Sequence, residues 1–160
     1  RRLDRRDGQC SFRGGCMTKV RKIAASDEAD WRRLWKAYLD FYEVELPEAH
    51  TAKLFQGLIK GEPFFAFVAE KEGAVIGFVH GLPHPSSWSD TGYCYLEDLY
   101  VDKDVRGSGA GRALINAVYE EAKSRGLSRV YWHTNEGNQT ARKLYDKVAT
   151  LSDFVQYRMD

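Results

Sequence analysis

The stretch VRGSGAGRA, residues 105–113, places three glycines at alternate positions and brackets them with two arginines. The alternating segment YCYLEDLYV precedes it and predicts a strand, and the segment that follows has its apolar residues at helical spacing. The glycines therefore lie where a strand passes into the N-terminus of a helix. Unpaired backbone N–H groups and the helix dipole favour an anion at such a junction, and glycines let the backbone approach it closely.

Spacing separates the known kinds of phosphate-binding loop. A P-loop requires a lysine followed by serine or threonine after the glycines, and this loop has none. A dinucleotide-binding loop requires G-x-G-x-x-G directly after a strand, whereas Arg112 stands here at the position of the third glycine. A nucleotide-binding oxidoreductase is therefore the less favoured alternative. A purely structural turn is also disfavoured, because each glycine in the first turn of a helix costs about 1 kcal/mol.

Length and composition predict one globular domain. The chain has 160 residues, of which 43% are hydrophobic, enough for one substantial core. The formal net charge of +1 favours neither nucleic acid nor an anionic membrane as a partner. Apolar runs stay below the roughly 18 residues that a membrane-spanning helix needs, so a cytoplasmic location is the default expectation.

The cysteines predict neither a disulfide framework nor a metal site. Cys10, Cys16 and Cys94 are odd in number, and none is grouped with histidines in the manner of zinc ligands. Cys94 lies in a predicted strand and is expected to be an inert residue there.

Residues 1–16 differ in composition from the rest of the chain. They contain five arginines and two aspartates, with only Leu3 and Phe12 as large apolar side chains. Because so little apolar surface can be buried, we predict a disordered basic extension or an expression artefact, with a phosphate-binding arm as a further alternative. The folded domain is predicted to span residues 17–160.

Hydrophobic periodicity from Met17 onward predicts the element order βααβββαβαβ. The first helix is expected to begin at a Ser26 cap, and a second helix is expected over residues 51–60. A hairpin is predicted around Glu72 and Gly73. Strands are predicted for SRVYWHT and FVQYRM, with the helix NQTARKLYDKV between them.

Two motifs resemble one known family. RGSGAG, residues 106–111, resembles the pyrophosphate signature Arg/Gln-x-x-Gly-x-Gly/Ala of the GNAT superfamily of N-acetyltransferases, at the matching strand-to-helix junction. NQTARKLY resembles the second marker of that family, an Asn followed by Ala three residues later and Tyr seven residues later. YLEDLYV is similar to the small-amine branch, which includes polyamine and thialysine acetyltransferases. The resemblance covers residues 17–160 and departs at Ala149 and Thr150, where Gly-Phe is usual.

The resemblance implies a single GNAT-type α/β domain, with a mixed, mostly antiparallel sheet that is splayed at the cofactor site and flanked by helices. It implies acetyl-CoA as co-substrate, with the pyrophosphate on the glycine loop and the pantetheine along the preceding strand. A β-bulge in that strand often frees an N–H that polarises the thioester carbonyl. The cofactor-binding residues implied in this way are Leu99, Tyr100, Val101, Arg106, Gly107, Ser108, Gly109, Ala110, Gly111, Arg112 and Asn138.

The resemblance also implies two catalytic groups. An amine acceptor of lysine type has a pKa near 10.4 and arrives protonated, so a base must remove its proton. Glu97 is the predicted general base, acting through a water, and its alternative role is that of a surface carboxylate. Tyr145 is the predicted acid that protonates the departing thiolate, and its alternative role is that of a helix core residue.

The acceptor is predicted to be a small cationic amine. Residues interpreted as lining its site combine acids with aromatic rings, a pattern suited to a cation on an alkyl stem: Tyr38, Tyr42, Glu43, Trp88 and Asp98. A solvated loop explains the acids between the two helices equally well. A protein or histone lysine as acceptor, and a CoA-binding sensor without turnover, remain alternative functions. The apolar-polar segment FVQYRM predicts a homodimer paired through C-terminal strands.

Overall fold

A computed structural model describes residues 18–160, and the predicted extension over residues 1–16 lies outside them. The described chain forms one five-stranded sheet with the strand order β1-β2-β3-β4-β5 and four α-helices. The strands are β1 Lys19–Lys22, β2 Phe65–Lys71, β3 Ala74–Ser86, β4 Ser89–Val101 and β5 Val130–Tyr131. The helices are α1 Glu28–Phe41, α2 Glu48–Lys60, α3 Ala110–Ser124 and α4 Gln139–Val148. Among these residues no helix is long and apolar enough to cross a membrane.

The sheet is mixed, and its two faces carry separate cores. Strands β1 to β4 pair antiparallel, and β5 joins β4 in parallel. On one face, α1 and α2 bury Trp31 and Phe55 against Phe78. On the other, α3 buries Leu114 and Val118 against β3 and β4. The predicted α/β class, with a mostly antiparallel sheet flanked by helices, is confirmed.

The β2–β3 hairpin turns at the predicted residues. Glu72 and Gly73 have φ angles of 52° and 79°, the left-handed conformation that a tight two-residue hairpin turn requires. Glycine takes this conformation without strain, so Gly73 explains the position of the turn.

The start of α1 differs from the prediction. Ser26 lies inside a short 3-10 turn, Ala25–Asp27, and does not cap the helix. The carboxylate of Asp27 accepts the Ala24 N–H at 2.8 Å and binds the Arg21 guanidinium at 2.7 and 2.8 Å. This charged, part-buried contact ties the start of α1 to β1 and displaces the weaker serine cap.

The prediction of a C-terminal strand at FVQYRM is wrong for the single chain. Residues 149–160 form neither helix nor strand, and Phe154 and Tyr157 are 78% and 93% exposed. A strand needs a partner for its backbone N–H and C=O groups, and FVQYRM has none within the described chain. The predicted strand SRVYWHT is likewise reduced to Val130–Tyr131.

Candidate active site

A groove opens where β4 and β5 separate. Their ladder consists of two pairs, Cys94 with Val130 and Tyr95 with Tyr131, while β4 continues to Val101. Beyond Tyr95 the strands part, and the opening is a groove of about 670 Å³ between the sheet and the N-terminal ends of α3 and α4. The splayed sheet that the family resemblance implies is therefore present.

Glu97 is the extra residue of a β-bulge at the edge of this groove. His80 on β3 pairs with Asp98, but the next residue, Gly81, pairs with Leu96. Glu97 therefore has no partner on β3. A bulge bends its strand and redirects the side chains around it, and here it lies where the sheet opens.

The glycine loop enters α3 through two left-handed residues. Gly107 and Gly109 have φ angles of 87° and 81°, and Gly109 directly precedes α3, so only Gly111 lies within the helix. A methyl group on Gly107 or Gly109 meets no atom within 4 Å, whereas on Gly111 it comes within 3.3 Å of Cδ2 of Leu144. Gly107 and Gly109 thus allow the left-handed backbone and leave the loop open, and Gly111 allows α3 to pack closely against α4.

The loop fits an anionic group such as a pyrophosphate. The Ser108 hydroxyl is buried and has no hydrogen-bond partner among residues 18–160, although it is able to donate. Arg106 donates from Nε to the Val101 carbonyl at 3.3 Å, and its guanidinium lies 5.7 Å from the Tyr100 ring centre. Arg112 adds an exposed cation at the start of α3. An unused donor, two cations and a helix N-terminus converge here.

Every predicted cofactor-binding residue lines this groove. Asn138 does so as the N-cap of α4, where its side chain accepts the Ala141 N–H at 3.3 Å. The full set is Leu99, Tyr100, Val101, Arg106, Gly107, Ser108, Gly109, Ala110, Gly111, Arg112 and Asn138. The structure brings them together, and their contacts with acetyl-CoA remain predictions.

The two predicted catalytic residues also line the groove. The Glu97 residue as a whole stays exposed, but partial burial of its carboxyl group raises its pKa, and the neighbouring Asp98 raises it further. Burial raises the pKa of Tyr145 as well, with a smaller contribution from Tyr42. Glu97 is thereby made more basic than an ordinary glutamate, and Tyr145 is held in its protonated form.

The predicted acceptor residues separate into two sets. Tyr38 and Tyr42 line the groove beside Glu97, and Asp98 lies behind Tyr38. Glu43 lies in the exposed connection after α1, and Trp88 is 77% exposed at the β3–β4 turn. Neither is among the residues that line the groove. Tyr38 and Tyr42, at the C-terminal end of α1, therefore line the groove without the predicted loop acid.

Sequence reasoning missed several lining residues and one buried hydrogen-bonded chain. Leu144 and Lys147 line the groove from α4, and Trp132 packs edge-on against Tyr145 at 5.4 Å. Behind Tyr38 runs a chain of polar contacts through Asp98 and the fully buried His80 to Trp31. These residues are far apart in sequence and follow no motif. The apolar spacing of α1 marked Trp31 only as a core residue.

Comparison with known proteins relates the chain to N-acetyltransferases. The profile of the acetyltransferase (GNAT) family matches residues 31–149. The D-amino-acid N-acetyltransferase HPA3 of Saccharomyces cerevisiae is 39% identical over 143 residues, 87% of this chain and 88% of that protein. A thialysine N-epsilon-acetyltransferase of Caenorhabditis elegans is 32% identical over 129 residues, 76% of this chain and 78% of that protein.

Solved structures share the fold. The aminoglycoside N-acetyltransferase AAC(6')-Iy in complex with CoA superposes with a TM-score of 0.79 at 18% identity, covering 93% of this chain and 98% of that chain. A ribosomal-protein-alanine N-acetyltransferase from Brucella melitensis biovar Abortus 2308 superposes at 0.76 with 22% identity, covering 90% and 99%. At these identities the likeness establishes the architecture.

Proposed function

Since this chain belongs to the acetyltransferase (GNAT) family and is an acetyl-CoA-dependent N-acetyltransferase, we propose that its acceptor is the primary amine of a small cationic molecule. The proposed acceptor is a polyamine, a lysine analogue or an amino acid. The amine attacks the thioester directly, so a carbon–nitrogen bond forms as the carbon–sulfur bond breaks. The proposal therefore needs one group that removes a proton and one that supplies a proton.

The observation that carries the proposal is the continuity of the groove. One end is the glycine loop with its unused Ser108 donor, and the other is the bulge at Glu97 beside Tyr38 and Tyr42. A molecule held along residues 99–101 and 106–112 would lead from the first end to the second. The two substrates would thus meet at Glu97, where the strands part.

Proton transfer is assigned to Glu97 and Tyr145. Glu97 takes a proton from the acceptor ammonium through a water, and its raised pKa brings it closer to the working pH of a general base. Tyr145 gives its hydroxyl proton to the departing thiolate, and its raised pKa keeps that proton in place beforehand. The attacking nitrogen loses its second proton as the amide forms, and this proton restores the Tyr145 hydroxyl. The products are the N-acetylated amine and the CoA thiol, and Glu97 releases its proton to solvent.

The character of the acceptor end supports a cation on an alkyl or aromatic body. Tyr38, Phe41 and Tyr42 present aromatic rings beside Glu97, and ring faces attract ammonium groups. Two relatives at 39% and 32% identity carry names that specify D-amino acids and thialysine as acceptors, which supports small amines over protein lysines.

The experiment is a screen for release of the CoA thiol from acetyl-CoA. Polyamines, lysine analogues, D- and L-amino acids and a histone-tail peptide are offered separately at equal concentration. We expect thiol release with at least one small amine and a lower kcat/KM for the peptide. Preference for the peptide would favour the protein lysine alternative. Tight CoA binding without thiol release from any acceptor would favour the sensor.

A homodimer is part of the proposal. The exposed apolar side chains after α4 lack a partner within the described residues and are suited to pairing with a second copy: Leu151, Phe154, Val155, Tyr157 and Met159. Light scattering at micromolar concentration is expected to give twice the monomer mass. A monomer there, or a dimer that persists after removal of residues 151–160, would contradict pairing through this segment. The cytoplasmic location stays a prediction.

A further inference from the structure

A chain of hydrogen bonds crosses the core between α1 and the sheet. Nε1 of Trp31 lies 3.1 Å from Nε2 of His80, and Nδ1 of His80 lies 2.9 Å from Oδ2 of Asp98. Oδ1 of Asp98 lies 2.7 Å from the Tyr38 hydroxyl, and Tyr38 is one of the residues that line the groove. His80 and Trp31 are fully buried, so the chain runs from a dry core to the acceptor end.

The direction of each hydrogen bond follows from the first. An indole N–H can only donate, so Nε2 of His80 must accept. A neutral imidazole that accepts at one nitrogen carries its proton on the other, so Nδ1 of His80 donates to Asp98. The Asp98 carboxylate therefore accepts from His80 at one oxygen and from Tyr38 at the other. The hydroxyl hydrogen of Tyr38 is committed to Asp98, and its oxygen retains lone pairs for another partner.

We propose that the Tyr38 oxygen accepts a hydrogen bond from the acceptor's ammonium group. Asp98, His80 and Trp31 are positioning residues, because they hold the Tyr38 hydroxyl hydrogen on Asp98 and so leave the oxygen lone pairs available. The inference rests on the proposed function, because it names a residue that recognises the amine. The site would select groups that carry an N–H over cations that carry none. Glu97 keeps its role as base, since Tyr38 accepts a hydrogen bond and takes no proton.

The surroundings of Asp98 support this assignment. The other titratable groups near its carboxylate are Tyr42 at the end of α1 and Glu97 and Tyr95 on β4, and all three are acids. His80 on β3 is the only basic group within hydrogen-bond distance of Asp98 in the described chain. A cationic acceptor beside Tyr38 and Glu97 would place a positive charge near the two carboxylates, Glu97 and Asp98, while the two tyrosines stay neutral.

The first test is the variant Tyr38→Phe, which retains the ring and removes the hydroxyl. KM for the best amine of the screen is expected to rise about 10- to 100-fold, the loss typical of one hydrogen bond to a charged group. KM for acetyl-CoA is expected to stay within about twofold. Tyr119→Phe, on the exposed face of α3, is the matched control and is expected to leave both constants unchanged.

A binding measurement separates hydrogen bonding from packing. The trimethylammonium analogue of the same amine keeps the positive charge but has no N–H, so its Kd measured by calorimetry should be equal for wild type and Tyr38→Phe. The Kd of the primary amine should rise in the variant. Equal losses for both ligands would overturn the inference, because the ring position and not the hydroxyl would then matter.

The second test reverses the direction of the hydrogen bond between residue 98 and Tyr38. In Asp98→Asn the carbonyl of the introduced amide must accept from His80, so its NH2 group faces Tyr38 and turns the hydroxyl hydrogen toward the groove. KM for the amine should rise at least as much as in Tyr38→Phe, with no further rise when both changes are combined. Additive losses would overturn the positioning role of Asp98.

The outcomes distinguish this inference from the proposed function. A wild-type enzyme that acetylates an amine, with an unchanged KM in Tyr38→Phe, overturns the inference and leaves the function standing. A wild type that acetylates no amine overturns the function, and the calorimetric comparison of the two ligands still decides the role of Tyr38. If Asp98→Asn does not fold, as judged by thermal unfolding, the Tyr38→Phe measurements decide alone.

Discussion

The end of the groove that we assign to the cofactor is lined mainly by neighbours in sequence, residues 99–101 and 106–112, whereas the end that we assign to the acceptor is assembled from α1 and β4, with β3 behind them. At the cofactor end, the proposed binding depends on backbone N–H groups and on positive φ angles, which the glycines of one short loop provide. At the acceptor end they are side chains whose orientation depends on contacts across the core. A local motif therefore predicts the first region, and only the packing of distant elements creates the second.

The largest effect is expected at the acceptor end, from Glu97→Gln. We expect kcat with an amine acceptor to fall by about 10²- to 10⁴-fold, the usual contribution of a general base, while acetyl-CoA affinity hardly changes. The raised pKa of Glu97 means that wild type is protonated, and loses activity, at a higher pH than an ordinary carboxylate would require. Steady-state kinetics between about pH 5 and 9 measure both effects.

The glutamine variant should lack that loss at low pH, so its kcat/KM profile should be flatter. An unchanged profile would mean that another group or bulk water takes the proton. In that case Glu97 would not be the base, and the functional contrast between the two ends would no longer rest on it.

A change at the cofactor end, Gly109→Ala, is expected to be next in size. Acetyl-CoA affinity measured by calorimetry should weaken about tenfold or more, because the methyl group enters the open space of the loop and a left-handed alanine strains the loop backbone. Gly126→Ala is the matched control, since Gly126 has a φ of 74° and open surroundings at the far end of α3.

Both glycine variants should lose about 1 kcal/mol of unfolding free energy, the cost of a left-handed alanine, and only Gly109→Ala should weaken acetyl-CoA binding. Equal affinities in the two variants would remove Gly109 from the binding loop. Gly111 is unsuited to this test, because its substitution disturbs the contact with Leu144.

The change Tyr145→Phe concerns the proposed acid that acts where the two ends meet. Its effect is expected to be smaller than those of Glu97→Gln and Gly109→Ala. The ring still packs against Trp132, so the unfolding free energy should stay within about 0.5 kcal/mol of wild type. We expect turnover to fall about tenfold, less than for Glu97→Gln, because a thiolate is already a fair leaving group. Wild-type turnover in this variant would assign Tyr145 to packing alone.

The smallest effect is expected from Arg112→Ala at the cofactor end. Arg112 is exposed, and exposed charge pairs contribute little, so KM for acetyl-CoA should rise about two- to fivefold at low salt. The difference from wild type should vanish near 1 M salt, where the Debye length is roughly 3 Å. A loss that persists at high salt would indicate a direct, desolvated contact with the phosphate.

Local patterns predicted most elements of the fold correctly. The hairpin turn at Glu72 and Gly73, the apolar stripe of α1 and the glycine loop before α3 all depend on the conformational preferences of neighbouring residues. The errors occur where a longer-range contact competes, as at Ser26, where Asp27 is held by Arg21 from β1. The segment FVQYRM has the pattern of a strand but no partner within the described chain.

Sequence by itself determined the family and the position of the glycine loop, and it predicted which residues line that end of the groove, because these depend on backbone conformation within a few neighbouring residues. Tertiary structure alone decided that Glu97 is the bulged residue, since a bulge is defined by the partner strand. It also decided that Trp31, His80, Asp98 and Tyr38 form one chain, because these hydrogen bonds join residues 18 to 60 positions apart and exist only after the strands pair and α1 packs on the sheet.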